Sequence, residues 1–232
     1  MSIFLSAEWR HVAMVSWAVD PALLRPLVPR GVELDDHEGR TYVSLVGFRF
    51  LDTRVLGLPI PGHRHFDEVN LRFYLRRHGP VGLERGVGFI REFVPRRAIA
   101  WVARVCYNEP YLALPMASTT AADEVRYRWK LARWHDLCLT LREPFTLPDP
   151  SSRDGWLAEH YWGWTRQRDG GTVAYRVEHP PWRIRPSAAT TINADLAETY
   201  GSEWGDALSG PPDSSFVAEG SPVTVGRPTR VA

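Results

Sequence analysis

Four polar residues alternate with apolar ones in the segment FDEVNLRFYL, at 66–75. Glu68, Asn70, Arg72 and Tyr74 share one face if the segment is a strand, because side chains two positions apart point to the same side. A carboxylate can act there as a general base or bind a polar group of a ligand. The pattern therefore predicts either a solvated surface with a Glu68–Arg72 ion pair or a polar interior around a small molecule.

A second pair of charges, Arg91 and Glu92, interrupts the apolar segment VGFIREFV. Whichever face of this strand is buried, one of the two charges lies among apolar neighbours, which is unfavourable unless the charge is paired. Strict alternation places Arg91 on the face of Phe89 and Phe93. The pair is either a structural ion pair or an anchor for a ligand. In the second case, Arg91 would pair with the charge of the ligand.

A third group of polar residues lies in YNEPYLALPM, at 107–116. Proline cannot donate to a central β-ladder, so this stretch is predicted to be a bend at the end of a strand, with its polar groups in a loop. Tyr107 and Glu109 are candidate ligand-binding residues. Tyr111 is a candidate hydrogen-bond donor to a developing oxyanion.

Common catalytic motifs are absent from the sequence. His63, His65, His160 and His179 lack the H-E-x-x-H or Cys/His spacing of metal sites, and we expect neither a metal nor a cofactor. The nucleophile elbow, the phosphate-binding loop and the dinucleotide-binding fingerprint do not occur. Hydrolase, kinase and dehydrogenase functions therefore lack their usual sequence support.

The charge balance also excludes function classes. The 28 Lys+Arg and 27 Asp+Glu residues give a formal net charge of +1, so nucleic acid is not an expected partner. Only Lys130 among the basic residues is a lysine. Glu8 and Arg10 interrupt the apolar stretch that a secretory signal needs, and no segment is predicted to span a membrane, so a cytoplasmic location is expected. Cys106 and Cys138 are predicted to be buried thiols.

The elements that would position these residues are mostly strands. Strand composition and turn signals predict strands at 11–19, 41–50, 66–76, 87–94, 98–108, 125–130 and 137–142, and one more at 216–219 or 223–225, with a hairpin joining 161–166 to 173–178. Helices are predicted after Asp20-Pro21, near 154 and at 195–200. This pattern predicts a single domain over 1–232, an antiparallel β-barrel or sandwich with two or three short helices.

The sequence resembles the uncharacterised bacterial family known as domain of unknown function 2071. The matching segments are WRHVAMVSWAVDPALLRPLVPRGVELD, FDEVNLRFYL, GVGFIREFVPRRAIAWVARVCYNEPY and HYWGWTRQRDG with VEHPPW. That family is similar to the acetoacetate decarboxylase-like superfamily. The resemblance implies a curved antiparallel β-barrel, or double cone, around a buried pocket, with Glu68 at the position of a pocket glutamate.

The resemblance does not extend to the superfamily's covalent chemistry. Its decarboxylases form a Schiff base through a lysine that follows a proline, with a second lysine beside it that lowers its pKa. Tyr111 and Leu112 occupy those positions here, and Ala18 occupies the position of the superfamily's pocket arginine. A phenol cannot form an imine. Lys130 lies on a basic face with Arg126 and Arg128, which is typical of solvated surface.

Three functions are compatible with the sequence. The first is a non-catalytic barrel that binds a small molecule. The second is an acid/base enzyme, of lyase or isomerase type, acting on a small carbonyl or carboxylate compound through Glu68 and Tyr111. In the third, the polar residues only complete a filled core and function resides at a subunit surface. A homo-oligomer is also expected, since exposed strand edges commonly pair between subunits.

Overall fold

The computed structural model describes residues 2–80 and 82–231. Its strands are β1 Ile3–Val19, β2 Glu33–Leu34, β3 Thr41–Val55, β4 Leu58–Pro59, β5 Phe66–Gly79, β6 Gly82–Val94, β7 Tyr111–Ala113, β8 Met116–Thr120, β9 Glu124–Lys130, β10 Trp134–Leu141, β11 Trp162–Arg166, β12 Thr172–Glu178, β13 Ile184–Asn193, β14 Ser214–Gly226 and β15 Thr229–Arg230. Its helices are α1 Pro21–Leu24 with a 3-10 turn at Arg25–Leu27, α2 Arg97–Cys106, α3 Arg153–Ala158, α4 Leu196–Tyr200 and α5 Ser202–Ala207.

Seven strands close into a ring. The antiparallel pairs β1–β3, β3–β5 and β5–β6 form one side. A parallel pair β6–β11 leads to the hairpin β11–β12, and β14 joins β12 back to β1. The closing contact pairs Val177 with Val225. Closure removes sheet edges that would otherwise remain unpaired, and the predicted curved β-barrel is confirmed.

A smaller sheet packs against the outside of the ring. It has the order β13–β10–β9–β8 and is joined to the ring through the β13–β14 pair. Val69, Leu71 and Phe73 of β5 face this sheet and share a core with Tyr127 and Leu137, while α4 and α5 contribute to the same core. The outer face of β5 is therefore buried.

The opposite face of β5 points into the ring, as the alternation in the sequence predicts. Glu68 and Asn70 are almost completely buried there, and Tyr74 joins a second core together with Tyr42 and Val46 of β3. β5 is thus covered on both sides, and its inner face carries Glu68, Asn70 and Arg72. The alternation predicts that these groups share a face but leaves open whether that face is solvated, and the structure places it inside the ring.

The predicted strand at 98–108 is wrong, because most of this stretch forms helix α2. Its apolar residues recur at helical spacing, so Ile99, Val102 and Ala103 share one face, and its alanines favour a helix. Trp101 and Val105 lie on the opposite face, where they are 60% and 62% exposed. The β-branched and aromatic residues of this stretch favour a strand, but the helical spacing of its apolar residues decides the structure.

The other helix predictions agree with the structure. Asp20 accepts a hydrogen bond from the amide of Ala22, and Asp195 accepts one from the amide of Glu198, so both aspartates cap helices that begin next to them. The predicted hairpin is β11–β12. Cys138 is buried as predicted, but Cys106 is exposed at the end of α2, so that prediction is wrong. Among the described residues, no helix has the length and apolar character needed to cross a membrane.

Candidate functional site

The ring encloses a cavity of about 230 Å³. Every strand of the ring contributes side chains to it, and α2 covers it with its Ile99 and Val102 face. Most of the lining is aromatic or aliphatic, as at Trp9, Phe48 and Phe89. The interior is therefore not filled by side chains, which is the geometry of a small-molecule site.

Polar groups gather where β5, β6 and β7 run side by side. Asn70 of β5 pairs across the sheet with Glu92 of β6, and Glu92 pairs in turn with Tyr111 of β7. Glu68 accepts two hydrogen bonds, one from the Asn70 amide at 2.9 Å and one from the Tyr111 hydroxyl at 2.8 Å. Glu68 and Glu92 are 2% and 1% exposed, so both carboxyl groups lie out of bulk water.

Glu109 joins this cluster from the loop that follows α2. Its carboxylate accepts a hydrogen bond from the hydroxyl of Tyr175 on β12. Tyr107 packs edge-on against the ring of Tyr175, with 4.9 Å between ring centroids, and donates its own hydroxyl to the carbonyl of Gly226 at 3.1 Å. Tyr107 therefore contributes its ring to the cavity wall, while its hydroxyl is already engaged with the backbone.

Burial changes the ionisation of the three glutamates. It raises the pKa of Glu68 to about 7, against the opposing effect of the Asn70 and Tyr111 hydrogen bonds. It raises the pKa of Glu109 to about 8. The pKa of Glu92 is raised well above its ordinary value by burial and then by repulsion from Glu109 and Glu68. Burial also raises the pKa of Tyr111, so this phenol remains a neutral donor.

Five of the sequence-predicted site residues line the cavity together: Glu68, Asn70, Tyr107, Glu109 and Tyr111. Arg91 does not. It donates to the carbonyl of Thr199 at 2.8 Å, on the side of the sheet where Phe93 packs against Tyr200. The expectation that Arg91 meets the ligand is therefore corrected.

A β-bulge explains this position of Arg91. Leu71 pairs with Arg91 but the next residue of β5, Arg72, pairs with Phe89, so one residue of β6 is unpaired. The shift puts Phe89 and Glu92 on the cavity side and leaves Arg91 with the outer core. Strict alternation placed Phe89 and Arg91 on one face, and nothing in the local sequence marks the bulge.

Arg72 is the guanidinium that the structure brings to the cavity lining. Its Nη2 lies 3.4 Å from the carbonyl of Leu157, and its Nε has no hydrogen-bond partner among the described residues. The sequence placed Arg72 on the polar face of β5 but gave it only an ion-pair role with Glu68. A partly buried guanidinium whose Nε is unused can donate a hydrogen bond to an oxygen of a ligand.

His160 also lines the cavity, and the sequence gave it no role beyond a weak metal pattern. Its ring lies 4.7 Å from that of Tyr74, and its Nε2 lies 3.6 Å from the buried carboxylate of Asp35. Burial lowers the pKa of His160 to about 4. Since Asp35 lies far from His160 in the sequence, only the folded chain reveals this contact. Within the described ranges, His, Cys, Asp and Glu side chains do not form a group of three or more that could hold a metal.

Comparison with known families agrees with this architecture. Residues 6–222 match the model of domain of unknown function 2071, described as an uncharacterized conserved protein. The chain belongs to this family. A relative with detectable sequence similarity is the uncharacterized protein YqjF of Bacillus subtilis strain 168. It is 30% identical over 200 residues, which cover 83% of this chain and 80% of YqjF.

Solved structures relate this member of the domain of unknown function 2071 family to acetoacetate decarboxylase-like proteins. Acetoacetate decarboxylase from Legionella pneumophila superposes with a TM-score of 0.69 at 13% identity, covering 99% of this chain and 87% of that one. The enduracididine biosynthesis enzyme MppR, in its complex with pyruvate, gives 0.68 at 14% identity, covering 99% and 90%. At these identities the likeness establishes the fold, and the fold is acetoacetate decarboxylase-like.

Proposed function

We propose that this protein binds a small molecule, without a covalent bond, inside the ring. The observation that carries the proposal is the cavity of about 230 Å³, whose apolar walls surround a few convergent polar groups. That combination is typical of ligand sites, because apolar contacts supply affinity and polar groups fix orientation. Glu68, Asn70 and Tyr111 are the groups best placed to orient the ligand.

The proposed binding does not involve an imine between the protein and the ligand. Lys130, the single lysine of the sequence, is exposed on β9. β9 belongs to the sheet outside the ring, and Lys130 does not line the cavity. An imine needs an amine at the reacting carbon, so the binding would be non-covalent.

A second candidate function is acid/base catalysis on a small carbonyl or carboxylate compound. The specific observation is the hydrogen bond between Tyr111 and Glu68. A carboxyl group with a pKa of about 7 exchanges protons readily near neutral pH. In this role Glu68 would remove the proton, Tyr111 would donate to the developing oxyanion, and Arg72 would take the anchoring role expected of Arg91.

The binding proposal is tested by screening small metabolites for thermal stabilisation, then repeating the measurement with the cavity filled. Ala103→Phe adds a phenyl ring to the inner face of α2, and Val105→Phe adds the same ring to its exposed face. We expect a ligand that stabilises the wild type to lose its effect in A103F and to keep it in V105F. Equal stabilisation of both variants would place the ligand elsewhere.

The fate of the bound compound separates the two candidate functions. A ligand that is recovered unchanged after long incubation supports binding alone. A compound that is converted supports catalysis, provided that Glu68→Gln and Tyr111→Phe each reduce turnover at least about 100-fold, as expected for loss of a general acid/base group. Conversion that persists in both variants would exclude this catalytic assignment.

A further inference from the structure

Two buried acceptors in the cavity lining have no donor. These are Oδ1 of Asn70 and Oε2 of Glu92, neither of which has a hydrogen-bond partner among the described residues. Asn70 and Glu92 are neighbours across the β5–β6 pair and are at most 2% exposed. A buried acceptor without a donor is unfavourable, so the part of the site around Asn70 and Glu92 lacks donors, whereas the unused Nε of Arg72 lies elsewhere in the lining.

The charges around these acceptors favour a positive group. Glu68, Glu92 and Glu109 line the cavity, and Arg72 is the arginine among the described lining residues, where its charge acts on Glu68. His160 is held neutral at physiological pH by burial, which lowers its pKa to about 4. Burial and the other two carboxyl groups raise the pKa of Glu92 well above its ordinary value. A cation beside Glu92 would favour its ionised form and satisfy its free oxygen.

The cavity walls suit an organic cation better than a hydrated ion. Trp9, Phe89, Tyr107 and Tyr111 contribute aromatic rings to the lining. Aromatic faces attract ammonium groups, and apolar walls favour a hydrocarbon body. A bare metal ion would instead need several oxygen or nitrogen ligands around one point, and the described residues do not form such a group.

We infer that the ligand of this cavity is a small primary amine, whose protonated nitrogen donates hydrogen bonds to Asn70 Oδ1 and Glu92 Oε2 while its apolar body packs against the aromatic wall. An ammonium group carries three donors and no acceptor, which matches two unfilled acceptors beside further carboxyl groups. An alcohol supplies one donor, and a carboxylate supplies none. The inference rests on the proposed binding function and adds the chemical class of the ligand.

Matched ligand sets test the inference on the wild-type protein. Each set contains an amine, its alcohol and its carboxylate on the same hydrocarbon body: butylamine, butanol and butyrate in one, and 2-phenylethylamine, 2-phenylethanol and phenylacetate in the other. Affinities are measured by calorimetric titration at pH 7. We expect the amine to bind at least about tenfold more tightly than the alcohol, and the carboxylate to bind most weakly.

Two variants connect the selectivity to the named acceptors. Glu92→Gln and Asn70→Leu each remove an acceptor, and each should reduce amine affinity about tenfold while alcohol affinity changes less than about twofold. Glu178→Gln is the matched control, because Glu178 is an exposed carboxylate on β12 outside the cavity lining. Measuring both variants keeps the test valid if one of them fails to fold.

The outcomes separate this inference from the binding proposal. An alcohol or carboxylate that binds as tightly as its amine overturns the amine inference but leaves a ligand-binding cavity. Failure of every member of both sets to bind also overturns it, and the metabolite screen with A103F and V105F then decides the binding proposal by itself. Amine selectivity that survives in E92Q and N70L would place the nitrogen at another part of the protein.

Discussion

Tyr111 donates its hydroxyl hydrogen to Oε2 of Glu68, with 2.8 Å between the oxygens. The two residues are 43 positions apart and meet because β7 pairs with β6, which pairs with β5. Both face the interior of the ring, where Glu68 is almost completely buried. The hydrogen bond stabilises the ionised carboxylate and opposes the effect of burial on its pKa.

Removing this hydrogen bond should make Glu68 a weaker acid. In Tyr111→Phe we expect the pKa of Glu68 to rise above its wild-type value of about 7, since the ionised form loses a donor. Carbon-13 NMR of labelled glutamate side chains measures this titration directly. The control is Tyr161→Phe, because Tyr161 donates to Glu159 outside this cluster. A Glu68 pKa that falls or stays constant in Y111F would contradict the account.

The buried glutamates should make the protein less stable as pH rises above neutrality. Glu68 and Glu109 have folded pKa values of about 7 and 8, above their ordinary value of 4.5, so the folded state holds protons that the unfolded state releases. Stability from these groups is complete below about pH 4.5 and is lost as pH rises through 7 to 8. The free energy of unfolding decreases by about 1.4 kcal/mol per pH unit for each glutamate that is protonated in the folded state and ionised in the unfolded state.

The effect of the glutamates on stability can be measured separately from that of His160. Burial lowers the pKa of His160 to about 4, below its ordinary value of 6.5, so His160 affects stability in the opposite direction. Its contribution to the free energy of unfolding increases between pH 4 and 6.5 and is constant at higher pH. Urea unfolding between pH 6.5 and 8.5 therefore reports on the glutamates. Glu68→Gln should flatten the decline, and Glu178→Gln should leave it unchanged. A free energy of unfolding that rises over this range in the wild type would refute the assignment.

Lys130 should not form an imine. It is exposed on β9, in the sheet outside the ring, and does not line the cavity where a keto acid would bind. Borohydride treatment in the presence of pyruvate, acetoacetate and related keto acids should give no mass increase on intact-protein mass spectrometry at low protein-to-reagent ratio. Lys130→Arg is the control for background modification elsewhere. A stoichiometric adduct that disappears in K130R would overturn the rejection of covalent chemistry.

Gly220 should be essential to the β1–β14 pair. It has a φ of +78°, and a Cβ there would approach the carbonyl oxygen of Trp9 to 2.0 Å. Gly220→Ala therefore combines a strained backbone with a clash against main chain, and we expect a loss of more than about 2 kcal/mol. Gly210→Ala is the control, because its Cβ would meet nothing within 4 Å. Similar chemical denaturation midpoints for the two variants would contradict this.

The sequence predicts the inner face of β5 correctly, because a two-residue period directly reports which side chains share a face. It also predicts the hairpin and the aspartate-capped helices, whose signals lie within a few residues. Those predictions depend on local rules of backbone geometry. The strand pattern left a barrel and a sandwich open, the family resemblance implied the curved barrel, and the structural comparison confirms that fold.

Other parts of the site depend on contacts between distant segments. The bulge opposite Leu71 and Arg72 decides that Arg91 leaves the cavity, and it is a property of the β5–β6 pair rather than of either strand. The Glu109–Tyr175 hydrogen bond joins residues 66 positions apart, and the Asp35–His160 contact is likewise long-range. Local patterns carry no information about such pairs.

The most direct test of a ligand site inside the ring is carbon-13 NMR of glutamate side chains, recorded while a stabilising small molecule is added. A ligand inside the ring should shift the carboxyl signals of Glu68, Glu92 and Glu109 as its concentration rises, and leave that of the exposed Glu178 unchanged. Signals of the three buried glutamates that remain unchanged at saturation, with shifts confined to surface residues, would contradict it.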